Sequence, residues 1–162
     1  MTDQSLFAFD AAQAFQHFLA LGIAFILALP IGWNREKAER TAGLRTFPLV
    51  ALAACGFIQA TESITADAPE ALARITEGVI VGIGFVGGGA ILKQGESVRG
   101  TATAASLWIT GAIGVSVGIG KLDIAIMLAL FTFLTLFLLP VVKPDDRGTE
   151  EEGTAAEASK RR

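Results

Sequence analysis

Two short basic stretches hold the side chains best suited to recognition. Arg35, Lys37, Arg40 and Arg45 lie within eleven positions, and Lys93 and Arg99 form a second group further along the chain. Arg45 and Arg99 are set apart by their surroundings, Gly43-Leu44-Arg45-Thr46 and Arg99-Gly100-Thr101, in which a glycine and a threonine bracket the start of a new apolar run. A guanidinium presents its donors in a fixed fork that matches a carboxylate or phosphate. These two positions are therefore read as sites for an anionic group or for a partner's carboxylate. The plainer reading of the whole basic set is anionic lipid at the cytoplasmic face, at about 1 kcal/mol for each Lys or Arg. Glu36 stands four residues before Arg40 and can pair with it across one helical turn, holding the loop, and Arg74 and Glu77 can pair in the same way. His17 is the one histidine and Cys55 the one cysteine, so the chain has no Cys/His set for zinc and no intramolecular disulfide. No catalytic, metal or cofactor site is expected, and 13 bases against 16 acids are too balanced for a nucleic-acid binder.

Glycine is the second unusual feature, because twelve of the 18 lie between Gly78 and Gly120. In lipid, small residues let helix backbones approach and gain van der Waals contact. Gly78 and Gly82, Gly84 and Gly88, and Gly114 and Gly118 have that spacing, and Thr103, Ser106, Thr110, Gly114 and Gly118 continue it along one face. The run Gly82-Ile83-Gly84-Phe85-Val86-Gly87 matches GxGxxG, yet it lacks the strand-turn-helix setting and the later acid that make such a run bind a dinucleotide. Gly87, Gly88 and Gly89 leave two readings open: a close helix contact, or a helix broken in mid-membrane where an ion or solute passes.

The elements that carry these residues are apolar segments. The chain of 162 residues is 52% hydrophobic and 18% charged, with a mean hydropathy of +0.55, against roughly 25% charge in a soluble domain. Charged residues divide it into five apolar stretches, predicted as helices at about 11–33, 46–62, 75–93, 100–120 and 122–142. The fold class expected is an all-α membrane protein, a bundle of five transmembrane helices within a domain covering 1–142. Residues 143–162 hold six acids and five bases with no branched aliphatic or aromatic side chain, which predicts a disordered charged tail. Eleven of the 13 bases fall on one side of the alternating loops, so the N-terminus is expected outside and the C-terminus in the cytoplasm. The two basic loops, each an arginine followed closely by a threonine, suggest a parallel hairpin repeat. Thr46 is expected to cap the second helix, ahead of Pro48 in its first turn. Trp33 is placed at the membrane interface and Trp108 against a neighbouring helix, while the last helix, rich in Phe and Leu, is placed at the periphery.

Two ordered motifs carry a family resemblance. Leu29-Pro30-Ile31-Gly32-Trp33-Asn34-Arg35-Glu36, followed by Ala42-Gly43-Leu44-Arg45-Thr46, resembles the first signature of the MgtC/SapB family of bacterial inner-membrane proteins. The second is similar to Gly82–Leu92 followed by Val98-Arg99-Gly100-Thr101-Ala102-Thr103-Ala104-Ala105-Ser106-Leu107-Trp108. The resemblance marks Arg35, Glu36, Gly43, Arg45, Thr46, Arg99, Thr101 and Thr103 as motif positions. The family pattern has an acid where Asn34 stands, and the chain looks like the short form that lacks a folded cytoplasmic C-terminal domain. What the resemblance implies is a membrane regulator without catalytic chemistry. It implies a role in growth under magnesium limitation, in virulence and in membrane-energy homeostasis through the ATP synthase, with a second copy or another membrane complex as partner. A small transporter or channel is the alternative. The absence of acids from 78–92 and 100–120 weighs against a cation path.

Overall fold

A computed structural model describes residues 10–38, 42–65, 67–94 and 97–142. The charged tail from 143 onward and Arg40, with its expected pairing to Glu36, lie outside the described residues. The elements are α1 (Ala11–Lys37), α2 (Thr46–Ala60), α3 (Glu62–Thr65), α4 (Pro69–Gly89), β1 (Leu92–Gln94), β2 (Ser97–Arg99), α5 (Thr101–Gly118) and α6 (Leu122–Val142). The protein is mostly helical, and α1, α4 and α5 are each long and apolar enough to cross a membrane. Thr46–Ala60 is a shorter apolar helix, and Leu122–Leu138 is an apolar stretch within α6.

Local chemistry sets the ends. The Asp10 carboxylate accepts the N–H groups of Ala12 at 2.8 Å and Gln13 at 3.3 Å, capping α1. Arg35 and Lys37 occupy its last turn, where cations complement the helix dipole, and α1 runs a turn beyond the expected end at residue 33. The predicted helix at 75–93 is shifted toward the N-terminus. Pro69 starts α4 in its first turn, and the helix ends at Gly89, so Gly87, Gly88 and Gly89 form its last turn. No break interrupts α4, and the GxGxxG run lies wholly inside it. The chain then turns through a hairpin absent from the sequence reading, with Leu92 opposite Arg99 and Lys93 opposite Val98. Gly100 closes it at φ 91, where a Cβ would run into the Ala90 carbonyl oxygen.

Helix α5 is the centre of the bundle, packing against α1, α2, α4 and α6. Thr103, Ser106, Leu107, Thr110, Gly111, Ile113 and Gly114 are among its buried residues. The tightest approach is to α2: a Cβ on Gly114 would overlap the Ala51 carbonyl oxygen, and one on Gly118 would lie 2.8 Å from Ile58 Cβ. Gly87 meets α5 at the Ala104 carbonyl, and Gly111 meets α4 at the Ile83 side chain. The other glycines of α4 differ, since a Cβ on Gly78, Gly82, Gly84, Gly88 or Gly89 would meet open space. Trp108 departs from its expected packing. It is 51% exposed, because it shares the outward face of α5 with Thr101 and Ala105 at three- and four-residue steps. On α6, Phe131 and Phe137 are exposed, and Phe133 stacks on Phe137 with centroids 5.8 Å apart.

Gly114→Ala is expected to destabilise the bundle by about 1–3 kcal/mol through overpacking against α2. Gly82→Ala, with open space and a better helix former, is expected to be neutral or slightly stabilising. Thermal unfolding of the two variants in detergent separates them.

Candidate functional site

The motif residues gather at the end of the bundle where α1 finishes, α2 and α5 begin and the hairpin lies. On α1 the buried positions Ala24, Ala28, Ile31, Gly32 and Arg35 recur at three- and four-residue steps, so Arg35 lies on the core face and is only 6% exposed. Its Nη2 donates to Asn34 Oδ1 at 2.8 Å. Asn34 Nδ2 in turn donates to the Leu136 carbonyl oxygen of α6 at 3.4 Å. Asn34 thus links the buried guanidinium to the last helix.

One residue further on, Glu36 reaches the loop that leads into α2. Its Oε2 accepts the Leu44 N–H at 3.0 Å, and its side chain lies against Gly43, where any Cβ would overlap the carboxylate. Gly32 packs against the same loop, with Gly43, Leu44 and Phe47 atoms 3.3 Å from where its Cβ would stand. Gly43 therefore serves a close approach between α1 and its own return loop. The Phe47 N–H bonds to the Gly43 carbonyl at 3.2 Å, so the helical hydrogen-bond pattern is already running when Thr46 is reached. Thr46 is accordingly the first helical residue and makes no capping bond, contrary to its expected role; Arg45 occupies the N-cap position with helical dihedrals and no side-chain cap.

Arg45 and Arg99 both point outward from this end, Arg45 ahead of α2 and Arg99 at the end of β2. Lys93, on the facing strand opposite Val98, is exposed as well. Lys37 Nζ sits 5.1 Å from the ring centroid of Trp33, a cation–π contact on an exposed tryptophan. Thr101 is exposed and Thr103 is buried. Further into α5, Ser106 Oγ donates to the Ala102 carbonyl at 2.6 Å and Thr110 Oγ1 to the Ser106 carbonyl at 2.8 Å, so these two hydroxyls of the polar face expected there spend their donors on their own helix. Arg74 and Glu77 are both exposed and form no ion pair with each other; solvated pairs of this kind are worth about 0–1 kcal/mol. Sequence reasoning missed the burial of Arg35 and the Asn34 bridge, although the spacing of Ala24, Ala28 and Ile31 could have shown which way Arg35 faces.

These features define a helical membrane protein with a cationic cluster built around the end of its first helix. The MgtC family pattern matches residues 21–144, and the chain belongs to the MgtC family. It is 38% identical over 126 residues to Protein SrpB of Synechococcus elongatus, covering 70% of this chain and 69% of that one. It is 38% identical over 125 residues to Protein MgtC of Salmonella typhimurium, covering 77% of this chain and 53% of that one. Against Protein MgtC of Brucella abortus the identity is 39% over 121 residues, with 74% and 50% covered. The chain thus spans about half the length of these MgtC proteins. No solved structure matches it.

The contact between Glu36 and Gly43 makes their substitutions interdependent. Gly43→Ala is expected to destabilise by about 1–3 kcal/mol in the native background. In a Glu36→Ala background, where the obstructing carboxylate is gone, the same change costs less. A double-mutant cycle on unfolding temperature in detergent measures the coupling.

Proposed function

We propose that the chain is a multi-pass protein of the bacterial inner membrane that acts as a regulatory partner, docking onto another membrane protein complex or onto a second copy of itself. In this reading α1, α2, α4, α5 and α6 cross the bilayer, with the N-terminus outside and the C-terminus in the cytoplasm. The helix pairs α1–α2 and α4–α5 form two parallel hairpins with their connections on the cytoplasmic side. The concentration of eleven of 13 bases on one side supports the orientation.

One observation carries the docking: α4 presents glycines at helix-packing spacing that no helix among the described residues covers. Beside them, a groove of about 470 Å³ between α2 and α4 is lined by Val50, Ala53, Phe57, Gly78, Gly82 and Val86. An incoming apolar helix could approach the α4 backbone there, while Arg45, Lys93 and Arg99 at the cytoplasmic end hold its carboxylates or the surrounding anionic lipid. The family resemblance supplies the physiological setting: growth under magnesium limitation and membrane-energy homeostasis, with the ATP synthase as partner.

Cross-linking mass spectrometry from native membranes, paired with ion flux from liposomes holding the pure protein, tests this. A reproducible partner lost on Gly82→Leu, with no flux, is the expected result; saturable flux from the pure protein would replace the regulator with a transporter. Arg45→Gln and Arg99→Gln are expected to weaken complementation of a deletion strain without changing the amount of protein in the membrane. For the topology, single cysteines in a Cys55→Ala background should be labelled by an impermeant maleimide from outside at position 70, and at position 93 only after permeabilisation.

A further inference from the structure

A cavity of about 480 Å³ lies at the opposite end of the bundle, between the first turns of α1 and the C-termini of α2 and α5. Pockets for small ligands run from roughly 300 to 1,000 Å³. Its floor is aliphatic, with Ala20, Ile58 and Leu72 among the lining residues. Its rim is polar, formed by Gln16, His17, Gln59 and Glu62. His17 Nε2 lies 3.5 Å from Glu62 Oε2, which places the carboxylate at the mouth.

The polar groups here include acceptors that no protein donor meets. Among the described residues, the Gln16 and Gln59 side chains hydrogen-bond to no protein group. The end of α5 forms the remaining wall, and the N–H groups of Ile119, Gly120 and Lys121 turn back to Val115, Val117 and Ser116. Among the described residues, that leaves the carbonyls of Gly118, Ile119 and Gly120 without a backbone donor, at the negative end of the helix dipole.

From these features we infer that the cavity binds a primary ammonium group carried on a short alkyl body. The three ammonium donors meet Glu62, a carboxamide oxygen and the open carbonyls of α5, and the methylenes lie on the aliphatic floor. A bare divalent ion fits less well, since one carboxylate and one imidazole fall short of its usual ligand set and leave the floor unused. The inference is independent of the docking reading, which concerns α4 and the basic end. An ammonium of this kind could come from a soluble diamine or from the ethanolamine headgroup of a lipid, and the two sources are separable.

The test uses the full chain. Isothermal titration in a nonionic detergent with 1,5-diaminopentane should show saturable binding, weakened about tenfold by Glu62→Gln, the loss of one charge-assisted contact, and unchanged by Asp67→Asn. 1-Pentanol, with the same alkyl chain and no charge, should not bind. If the source is lipid, the unfolding temperature is higher in phosphatidylethanolamine nanodiscs than in phosphatidylcholine nanodiscs, and Glu62→Gln removes the difference. Either response supports the site and names its source. Absence of both, or a response of equal size in Glu62→Gln with its unliganded unfolding temperature intact, overturns it.

Discussion

The close approach of α5 to α2 is the constraint on which the remaining structure depends. Gly114 and Gly118 lie against Ala51, Cys55 and Ile58 with no room for a methyl group, so the two backbones meet almost directly. That contact decides which face of α5 turns inward, and with it the burial of Thr103, Ser106 and Thr110. Hydroxyls so placed need acceptors, and Ser106 and Thr110 find them one turn back in their own helix. Hydroxyls bonded internally in this way can be packed against an apolar neighbour without leaving those donors unsatisfied. Trp108 and Thr101 are left on the outside as a direct consequence.

The same constraint leaves α4 at the margin. It touches α5 through Ile83 and Gly87, and most of its length is exposed, including Phe85 at 86%. A helix rich in glycine yet largely uncovered is an uneven allocation within one chain, since glycine weakens a helix that gains no close contact from it. Its position beside the groove on α2 makes sense if the contact is completed by another molecule. The two ends of the bundle differ in kind. One carries Arg35, Lys37, Arg45, Lys93 and Arg99 near the contact of Glu36 with Gly43, and the other carries Glu62 and the open carbonyls of α5.

Much of this was legible in the amino-acid order. The existence of the apolar helices follows from charge placement, and the family from two ordered motifs. The peripheral character of α6 follows from its lack of glycine and its evenly spread Phe and Leu. Less legible were the ends. Pro69 is a good first-turn residue, but it stands among the polar and charged residues of the loop, so hydropathy placed the start of α4 six residues too late. The hairpin between Leu92 and Arg99 was invisible because three residues per strand leave no alternation to detect.

By itself, then, the sequence determined composition-level properties: a helical protein suited to lipid, bases gathered in alternate loops, and small residues at packing intervals. Tertiary structure alone decided which of those small residues are used. Gly114 and Gly78 have equivalent spacing to their partners, and only the position of α2 puts a carbonyl against one and open space beside the other. Arg35 and Lys37 are two residues apart and equally charged, yet one faces the core and the other lies over Trp33. Periodicity specifies that a helix has faces; the neighbouring backbones specify what each face meets.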